Sequence, residues 1–246
     1  MSEFNENVET IKALFEHPEK FGVFSTEDLI EFNAEKKILN LKKADEIIQE
    51  GATPKGIYCM IKGTAKLFKV GFNGKEQILR FVNEGDIIGY RSILSQEAFG
   101  ASATAMSNCE IYYVPEKFFI KLLEANPKLA FNILQRIAKD LGEYARTITY
   151  LAQKTVRERL AEVLLLLEAK LGTDKDGFIN ISLTREETAN LIGTATESAI
   201  RLISEFKQDH LIEVEGRKIK IIEHQKLTKL GHVIPVSYTH LTLPTT

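Results

Sequence analysis

The chain has 246 residues, a formal net charge of −2 and a hydrophobic fraction of 44%, a composition typical of a globular protein with one or two domains. The longest purely aliphatic run, residues 163–167, is too short to cross a bilayer, and no cleavable leader pattern is visible. We therefore expect a cytoplasmic protein with no membrane partner. The charge also excludes a globally basic nucleic-acid binder, so any phosphate contacts must come from local clusters of Lys and Arg.

A short helix is predicted around Val8 to Phe15, ahead of a region rich in short strands. Seven apolar runs of strand length, separated by glycine turns, follow over residues 35–115: KKILNL, EIIQEG, GIYCMIKG, AKLFKV, QILRFV, GDIIG and CEIYYV. Closely spaced short strands of this kind predict a β-roll. Cys59 and Cys109 lie within two of these runs, which favours buried thiols over a disulfide or an iron–sulfur site.

Residues 35–115 contain no histidine, so a metal-dependent β-roll enzyme would lack its imidazole ligands. The chain also lacks a glycine-rich phosphate loop with a following lysine and the G-x-S-x-G motif of an activated serine. We therefore predict no metal site, no cofactor and no enzyme activity.

A long helix is predicted to begin near Pro127. Its apolar residues alternate spacings of three and four, the heptad pattern of helices that pack side by side. This seam comprises Leu134, Ile137, Leu141, Tyr144, Ile148 and Leu151. Packing of the seam on the chain's own β-roll is the alternative, but a stripe this narrow fits a helical partner better than a broad core face. We therefore predict a homodimer joined along this helix.

Three Thr-x-x-Glu pairs have the spacing of a capping box and predict helix starts. These pairs are Thr155 with Glu158, Thr184 with Glu187, and Thr194 with Glu197. The first pair places a hinge at residues 153–154. The other two flank Gly193, which tolerates a sharp turn, and predict a helix-turn-helix over residues 184–212. Its inward positions would be Ala189, Leu191, Ile192, Ala199, Leu202, Ile203 and Phe206.

The outward face of the second helix carries Glu197 and Arg201, one turn apart. A carboxylate there can accept from cytosine N4, and a guanidinium can contact guanine O6 and N7. The simpler alternative is that Glu197 only caps the helix and Arg201 is its i,i+4 partner. We predict four base-reading residues: Thr196, Glu197, Ser198 and Arg201.

Phosphate contacts are predicted at the N-terminus of the first helix, where free N–H groups and a cation converge. A second set is predicted in the alternating stretch EVEGRKIKII, which we interpret as a β-wing with a glycine turn. The candidate phosphate-contacting residues are Thr184, Arg185, Arg217 and Lys218.

The order of β-roll, long helix and winged helix-turn-helix over roughly residues 10–225 resembles the cyclic-AMP receptor protein and fumarate-nitrate regulator (Crp/Fnr) family of bacterial transcription regulators. The resemblance lies in EGATPKGIYCMIKGTAKL, GDIIGYRSIL and LTREETANLIGTATESAIRLISEF. It implies an α+β fold: an N-terminal β-roll of the cyclic-nucleotide-binding type (a double-stranded β-helix), a long dimerisation helix and a C-terminal winged helix-turn-helix. It also implies a homodimer that binds two-fold symmetric double-stranded DNA, with RNA polymerase as a partner.

In this family the β-roll holds its small-molecule effector in a loop followed by a short helix, which we call the cassette. The cassette of this chain departs from the pattern of the members that bind cyclic AMP. In members that bind cyclic AMP, a Glu holds the ribose and an Arg–Ser pair holds the cyclic phosphate. Matching GDIIGYRSIL to that cassette puts Tyr90 at the Glu position and Gly100 and Ala101 at the Arg and Ser positions. Tyr144 and Ala145 stand where a Thr–Ser pair would contact adenine. Because a buried phosphate needs its cation, we expect no cyclic-AMP binding of the usual kind, and the effector stays unidentified.

Arg91 is either a site for a different anion or a solvated surface residue. The candidate pocket comprises Gly89, Tyr90, Arg91, Ser92, Gly100, Ala101 and Tyr144. In the reading helix, Thr196 replaces an Arg that is common in the family and Ile200 replaces a small residue, so the half-site sequence cannot be transferred from relatives.

We predict four segments: a sensor domain over residues 1–126, a dimerisation helix and hinge over 127–153, a DNA-binding domain over 154–235, and a non-native tail over 236–246. The tail, VSYTHLTLPTT, has no charge or periodicity and resembles a translated adapter, although an ordinary disordered tail would look similar. Two rival functions stay open at this point: a ligand-binding module whose helix-turn-helix contacts protein, and a β-roll enzyme.

Overall fold

The computed structural model describes residues 26–232 and separates the chain into two compact units, Met1–Tyr144 and Ala145–Thr246. The helix expected around Val8 to Phe15 and the tail over 236–246 lie outside the described residues. Within the described part of the chain, no helix is both long and apolar enough to cross a membrane.

The described part of the N-terminal unit is built from short strands, three short helices and most of one long helix. Its elements are α1 (Thr26–Glu35), β1 (Lys37–Leu41), β2 (Glu46–Ile48), β3 (Gly56–Lys62), β4 (Ala65–Val70), β5 (Glu76–Val82), β6 (Ile87–Ile88), α2 (Tyr90–Ser95), β7 (Ser102–Ala105), β8 (Cys109–Pro115), α3 (Glu116–Ala125) and α4 (Pro127–Gln153), whose last residues belong to the second unit.

The strands form two four-stranded antiparallel sheets, with the orders β1-β8-β3-β6 and β2-β7-β4-β5. All seven strands predicted from apolar runs are present, and the β-roll is confirmed. The sequence interpretation missed β7, whose residues SATA include only one β-branched side chain and no large apolar one. Its alanines are nonetheless buried, with Ala103 fully enclosed, because a strand of small side chains lets its neighbours approach closely.

Two apolar clusters stabilise this unit. One joins β3 and β8 to α3 and the start of α4 through Ile57, Val114, Phe119 and Ile133, and the other fills the roll around Met60. Cys59 and Cys109 are buried and unbridged, as predicted. Burial of these side chains removes apolar surface from water, the main favourable contribution to folding.

The long helix α4 begins at Pro127 as predicted, at the first helical position where proline loses no hydrogen bond. The Asn126 side chain accepts from the Leu129 N–H at 3.0 Å and so caps this start. The helix ends at Gln153, and the next helix follows after a break of two residues. The division into compact units falls inside α4, after Tyr144, and the domain limits stay a prediction.

The C-terminal unit consists of helices around a two-stranded antiparallel hairpin. Its further elements are α5 (Val156–Leu171), α6 (Arg185–Ile192), α7 (Thr196–Gln208), β9 (Ile212–Glu215), β10 (Lys218–Ile221) and α8 (His224–Leu230). The predicted capping box at the start of α5 is present: the Thr155 hydroxyl accepts from the Glu158 N–H, and the Glu158 carboxylate accepts from the Thr155 N–H. These bonds from Thr155 lower the pKa of Glu158.

Candidate nucleic-acid interface and effector cassette

The first helix of the predicted helix-turn-helix, α6, starts where the capping box predicted. The Thr184 hydroxyl accepts from the Glu187 N–H at 3.0 Å, and the Thr184 N–H donates to the Glu187 carboxylate at 2.7 Å. The next side chain, Arg185, donates from Nη2 to the carbonyl of Gly216 at 3.0 Å. Because Gly216 is the turn of the β9–β10 hairpin, Arg185 holds the N-terminus of α6 next to the wing tip.

The turn between the two helices corrects one sequence prediction. Gly193 has φ 64° and ψ 53°, in the left-handed region that favours glycine. The N–H groups of Gly193 and Thr194 both donate to the carbonyl of Ala189, so both of them close the C-terminus of α6. Thr194 therefore completes α6 instead of capping α7. The capping box predicted for Thr194 and Glu197 is wrong: α7 has Ala195 at its N-cap and begins one residue later.

The reading helix α7 has two distinct faces. Its inward apolar residues are buried as predicted, and only Leu191 of the predicted set, on α6, is half-buried. On the outward face, Glu197 and Arg201 are exposed, and the side chain of Arg201 is 73% accessible. Thr196 and Ser198 are half-buried at the helix start. The outward positions are therefore available to a ligand.

The two predicted base readers do not pair with each other. Arg201 Nε lies 3.8 Å from a carboxylate oxygen of Glu205, one turn further along. The side chain of Glu197 forms no hydrogen bond or ion pair with any residue that the structure describes. The alternative in which Arg201 serves as the helix partner of Glu197 is therefore not observed.

A residue that the sequence interpretation missed, Arg157, fixes the C-terminal half of α7. Its Nη1 donates to Glu205 at 2.9 Å, its Nη2 donates to Asp209 at 2.7 Å, and its guanidinium lies 4.9 Å from the Phe206 ring centroid. A second arginine, Arg159, is buried on α5 and points Nη2 at the Gly193 carbonyl, 3.4 Å away. No local motif reveals these contacts, because each partner lies more than thirty residues away.

The two predicted phosphate-contacting residues of the wing differ in whether their side chains are already paired. Arg217 is exposed at the hairpin turn and has no partner among the described residues. Lys218 is half exposed, and its ammonium donates to Asp174 at 2.8 Å. That bond, together with backbone N–H donors, lowers the pKa of Asp174. Arg217 is thus the freer cation of the pair.

In the N-terminal unit, the cassette residue Tyr90 is turned inward. Its side chain is 5% exposed, and its hydroxyl donates to Asp140 on α4. Asp140 also accepts from Arg136 Nε at 3.0 Å, and Arg136 Nη2 donates to Asp86 at 2.9 Å. Arg80 Nη1 lies 3.5 Å from the other oxygen of Asp86. We call these five side chains the cassette network, because they join the cassette to α4.

The electrostatics of the cassette network keep its phenol protonated and its Arg136 guanidinium charged. Burial, followed by the hydrogen bond to Asp140, raises the pKa of Tyr90 well above its usual value, so the phenol stays a donor. Burial alone lowers the pKa of Arg136, but the Asp86 and Asp140 carboxylates outweigh it and the net shift is upward. The network is therefore a set of charge-assisted hydrogen bonds, which are the strong ones in proteins.

Among the remaining cassette candidates, Arg91 lies against Gly100. Its side chain is 52% exposed and pairs with Glu97 at 2.8 Å. A Cβ atom added to Gly100 would lie 2.6 Å from Arg91 Nη2, so this guanidinium covers the glycine. Ser92 and Ala101 are buried, Gly89 is half-buried, and Tyr144 is 40% exposed on α4.

The predicted dimer seam is mostly uncovered in this single chain. Leu134, Leu141 and Ile148, spaced by seven residues, are 59%, 69% and 69% exposed. Ile137 packs against the core of its own unit, and Leu151 is half-buried. Packing on the chain's own β-roll, the alternative considered above, therefore accounts for one of the six seam residues.

Two family descriptions match the chain in the order of its two units. "Cyclic nucleotide-binding domain" matches residues 38–126, and "Crp-like helix-turn-helix domain" matches residues 158–230. The cAMP-activated global transcriptional regulator CRP of Pasteurella multocida is 30% identical over 179 residues, which cover 71% of this chain and 85% of that protein. The chain belongs to the Crp/Fnr family.

Other Crp/Fnr proteins match over a similar span. Electron transport regulator A of Shewanella oneidensis is 29% identical over 197 residues, covering 78% of this chain and 77% of the relative. A solved Crp/Fnr structure from Eubacterium rectale superposes with a TM-score of 0.72 at 18% identity, covering 86% of this chain and 97% of that one. The predicted fold class is confirmed. The chain is a DNA-binding transcription regulator with a cyclic-nucleotide-binding-type domain, and its named relatives are regulators and not enzymes.

Proposed function

We propose that this Crp/Fnr regulator binds two-fold symmetric DNA as a homodimer, with α7 of each protomer in the major groove of one half-site. The observation that carries the proposal is the outward face of α7, where Glu197 and Arg201 are exposed one turn apart and not paired with each other. A carboxylate and a guanidinium so placed match cytosine N4 and guanine O6/N7. Thr196 and Ser198, at the start of the same helix, complete the proposed base-reading set.

Phosphate contacts would orient the reading helix on the duplex, as they do in most protein–DNA complexes. Arg217 at the exposed wing turn is the cation best placed for this. Lys218 would first have to leave Asp174, and Arg185 would act by holding the wing tip against the start of α6, close to Thr184. RNA polymerase would be a further partner, as family membership implies. The regulator would act in the cytoplasm, where bacterial DNA lies.

The dimer is supported by the seam on α4. Three large apolar side chains at seven-residue intervals, Leu134, Leu141 and Ile148, are more than half exposed, and a stripe of this period packs against an equivalent helix. Tyr144 extends the stripe. Two helix-turn-helix units joined in this way would meet half-sites about 34 Å apart, one turn of the duplex.

We further propose that the cassette does not take cyclic AMP by the usual contacts. The Tyr90 hydroxyl is committed to Asp140, Gly100 and Ala101 offer no cation or hydroxyl, and the Arg91 guanidinium already covers Gly100. The relative from Pasteurella multocida is described as cAMP-activated, and this chain departs from that pattern at every polar anchor. The cassette network supplies an internal link from cassette to α4 without any ligand.

Selection of bound duplexes from a randomised DNA pool tests the proposed function, with the wild type compared with Leu141→Glu. The wild type is expected to enrich a two-fold symmetric site with half-sites one helical turn apart, without added ligand. Leu141→Glu places a charge in the seam, because that side chain is 69% exposed in the single chain. We expect the Leu141→Glu protein to have the mass of a monomer in size-exclusion chromatography with light scattering and to enrich no symmetric site.

Gln135→Glu is the matched control, because Gln135 is exposed on α4 about 120° from Leu141 around the helix axis. It should stay dimeric and enrich the wild-type site. A Leu141→Glu protein that remains dimeric would contradict the seam. If the wild type enriches nothing yet captures a protein through its helix-turn-helix, the proposed DNA function is wrong.

Isothermal calorimetry with cyclic AMP tests the effector proposal. No heat above dilution is expected at micromolar nucleotide, because a cyclic phosphate buried without a cation or hydroxyl partner loses hydration that nothing replaces. Saturable binding at micromolar affinity, with one site per chain, would contradict the proposal. Unlabelled cyclic AMP should likewise leave the midpoint of thermal unfolding unchanged, since only a ligand that binds the native state raises it.

A further inference from the structure

The outward face of α7 contains one large apolar side chain, Ile200, which the proposed base readers leave unexplained. It is 46% exposed, although the isoleucine three residues later on the buried face is almost fully enclosed. At about 100° per residue, Ile200 lies about 60° from Glu197 and about 100° from Arg201 around the helix axis. Ser204 falls between Ile200 and Arg201, so Ile200 belongs to the same outward arc as the reading residues.

An isoleucine at position 200 does not help to stabilise the helix or the fold. A β-branched residue is a weaker helix former than alanine, leucine or lysine, and an exposed one gains little from burial. Single exposed apolar residues are common on protein surfaces, so exposure alone decides nothing. What distinguishes Ile200 is its place inside an arc that is otherwise polar, which runs from Thr196, about 40° to one side, to Arg201, about 100° to the other.

The major groove presents one apolar group to such a side chain, the C5-methyl of thymine. Every other base edge there carries a donor or acceptor that an isoleucine would strip of water without replacing the hydrogen bond. Resting on the proposed function, we infer that Ile200 is a specificity residue that packs against a thymine methyl, one base pair away from the contact of Arg201 or Glu197. The selected half-site therefore contains a thymine whose methyl, and not its hydrogen-bonding edge, is read.

Uracil substitution isolates that methyl, since uracil differs from thymine only by its absence. Each thymine of the selected site is replaced singly by uracil, symmetrically in both half-sites, and the Kd is measured for wild type, Ile200→Ala and Leu166→Ala. Leu166 is the matched control, because it is also 46% exposed but lies on α5.

At one thymine position, uracil is expected to raise the Kd of the wild type about fourfold per half-site. This is the change that corresponds to the free energy of burying one methyl group. The same substitution should weaken Leu166→Ala equally and leave Ile200→Ala unchanged. Equal uracil effects on wild type and Ile200→Ala at every thymine would overturn the assignment of Ile200 while leaving the proposed function intact. Absence of any selected site for the wild type would overturn both.

Discussion

Replacing Arg201 with alanine is expected to weaken binding to the selected site by about 1–3 kcal/mol per half-site, the range for one bidentate contact to guanine. The loss should fall on one base pair, so the variant binds the parent site and its single-base variants at that position almost equally. The fold should tolerate the change, because the Arg201 side chain is 73% exposed and its one charged partner among the described residues, Glu205, lies 3.8 Å away. Exposed pairs of this kind contribute less than about 1 kcal/mol.

Titration of fluorescent duplexes that vary one base pair at a time measures this effect. Arg201→Lys is the informative comparison, because lysine keeps the charge but loses the planar fork that contacts guanine twice. If base reading is correct, Arg201→Lys resembles the alanine variant in specificity and the wild type in non-specific affinity. An equal loss on every sequence would show that Arg201 contributes charge alone and reads no base.

The Arg136→Ala variant is expected to lose about 3 kcal/mol of stability in the N-terminal unit, because it removes the guanidinium that bridges Asp86 and Asp140. Asp86 then keeps its contact with Arg80, and Asp140 keeps only the hydroxyl of Tyr90 among the described partners of its carboxylate. Arg136 lies between Asp86 and Asp140 at 2.9 and 3.0 Å, and its side chain is 26% exposed. Removing one member of a buried ion pair typically costs about 3–5 kcal/mol, and the partial exposure places this case at the lower end. Urea unfolding followed by far-ultraviolet dichroism provides the measurement.

Arg146→Ala supplies the comparison, since Arg146 is exposed on the same helix and has no partner among the described residues. Its unfolding midpoint should match that of the wild type. Tyr90→Phe should fall between the two, because it removes one hydrogen bond to a charged acceptor, worth about 1.5–3 kcal/mol. Equal midpoints for Arg136→Ala and Arg146→Ala would show that the cassette network contributes nothing to the stability of the unit.

Local patterns in the sequence predicted most of the fold. Capping boxes located the starts of α5 and α6, and short apolar runs separated by glycine turns located seven of the eight strands of the roll. The prediction failed at Thr194, where the same spacing occurs but the backbone N–H is needed to close α6. The N–H of Thr194 can either close α6 or take part in a capping box for α7. Residue spacing alone does not decide between the two.

The candidate site was predicted less completely than the fold. Glu197 and Arg201 share one helix face, so helical periodicity finds them. The contacts of Tyr90 and Arg157 cross 50 and 48 residues of sequence, and only the folded chain reveals them. The resemblance to the family implied that Tyr90 stands where cyclic-AMP-binding members have a ligand-binding Glu, but nothing near Tyr90 in the sequence indicated that its hydroxyl would bond to Asp140.

The burial of the cassette network has a consequence for how the protein responds to ionic strength. Contacts to DNA phosphates weaken steeply with added salt, because binding releases counterions from the duplex. Charges largely shielded from solvent, such as Asp86 and Asp140 with 17% exposed side chains, are screened much less. On a DNA-affinity column, a rising salt gradient should therefore release the protein from DNA at a salt concentration at which the hydrogen bond between Tyr90 and Asp140 on α4 is still formed.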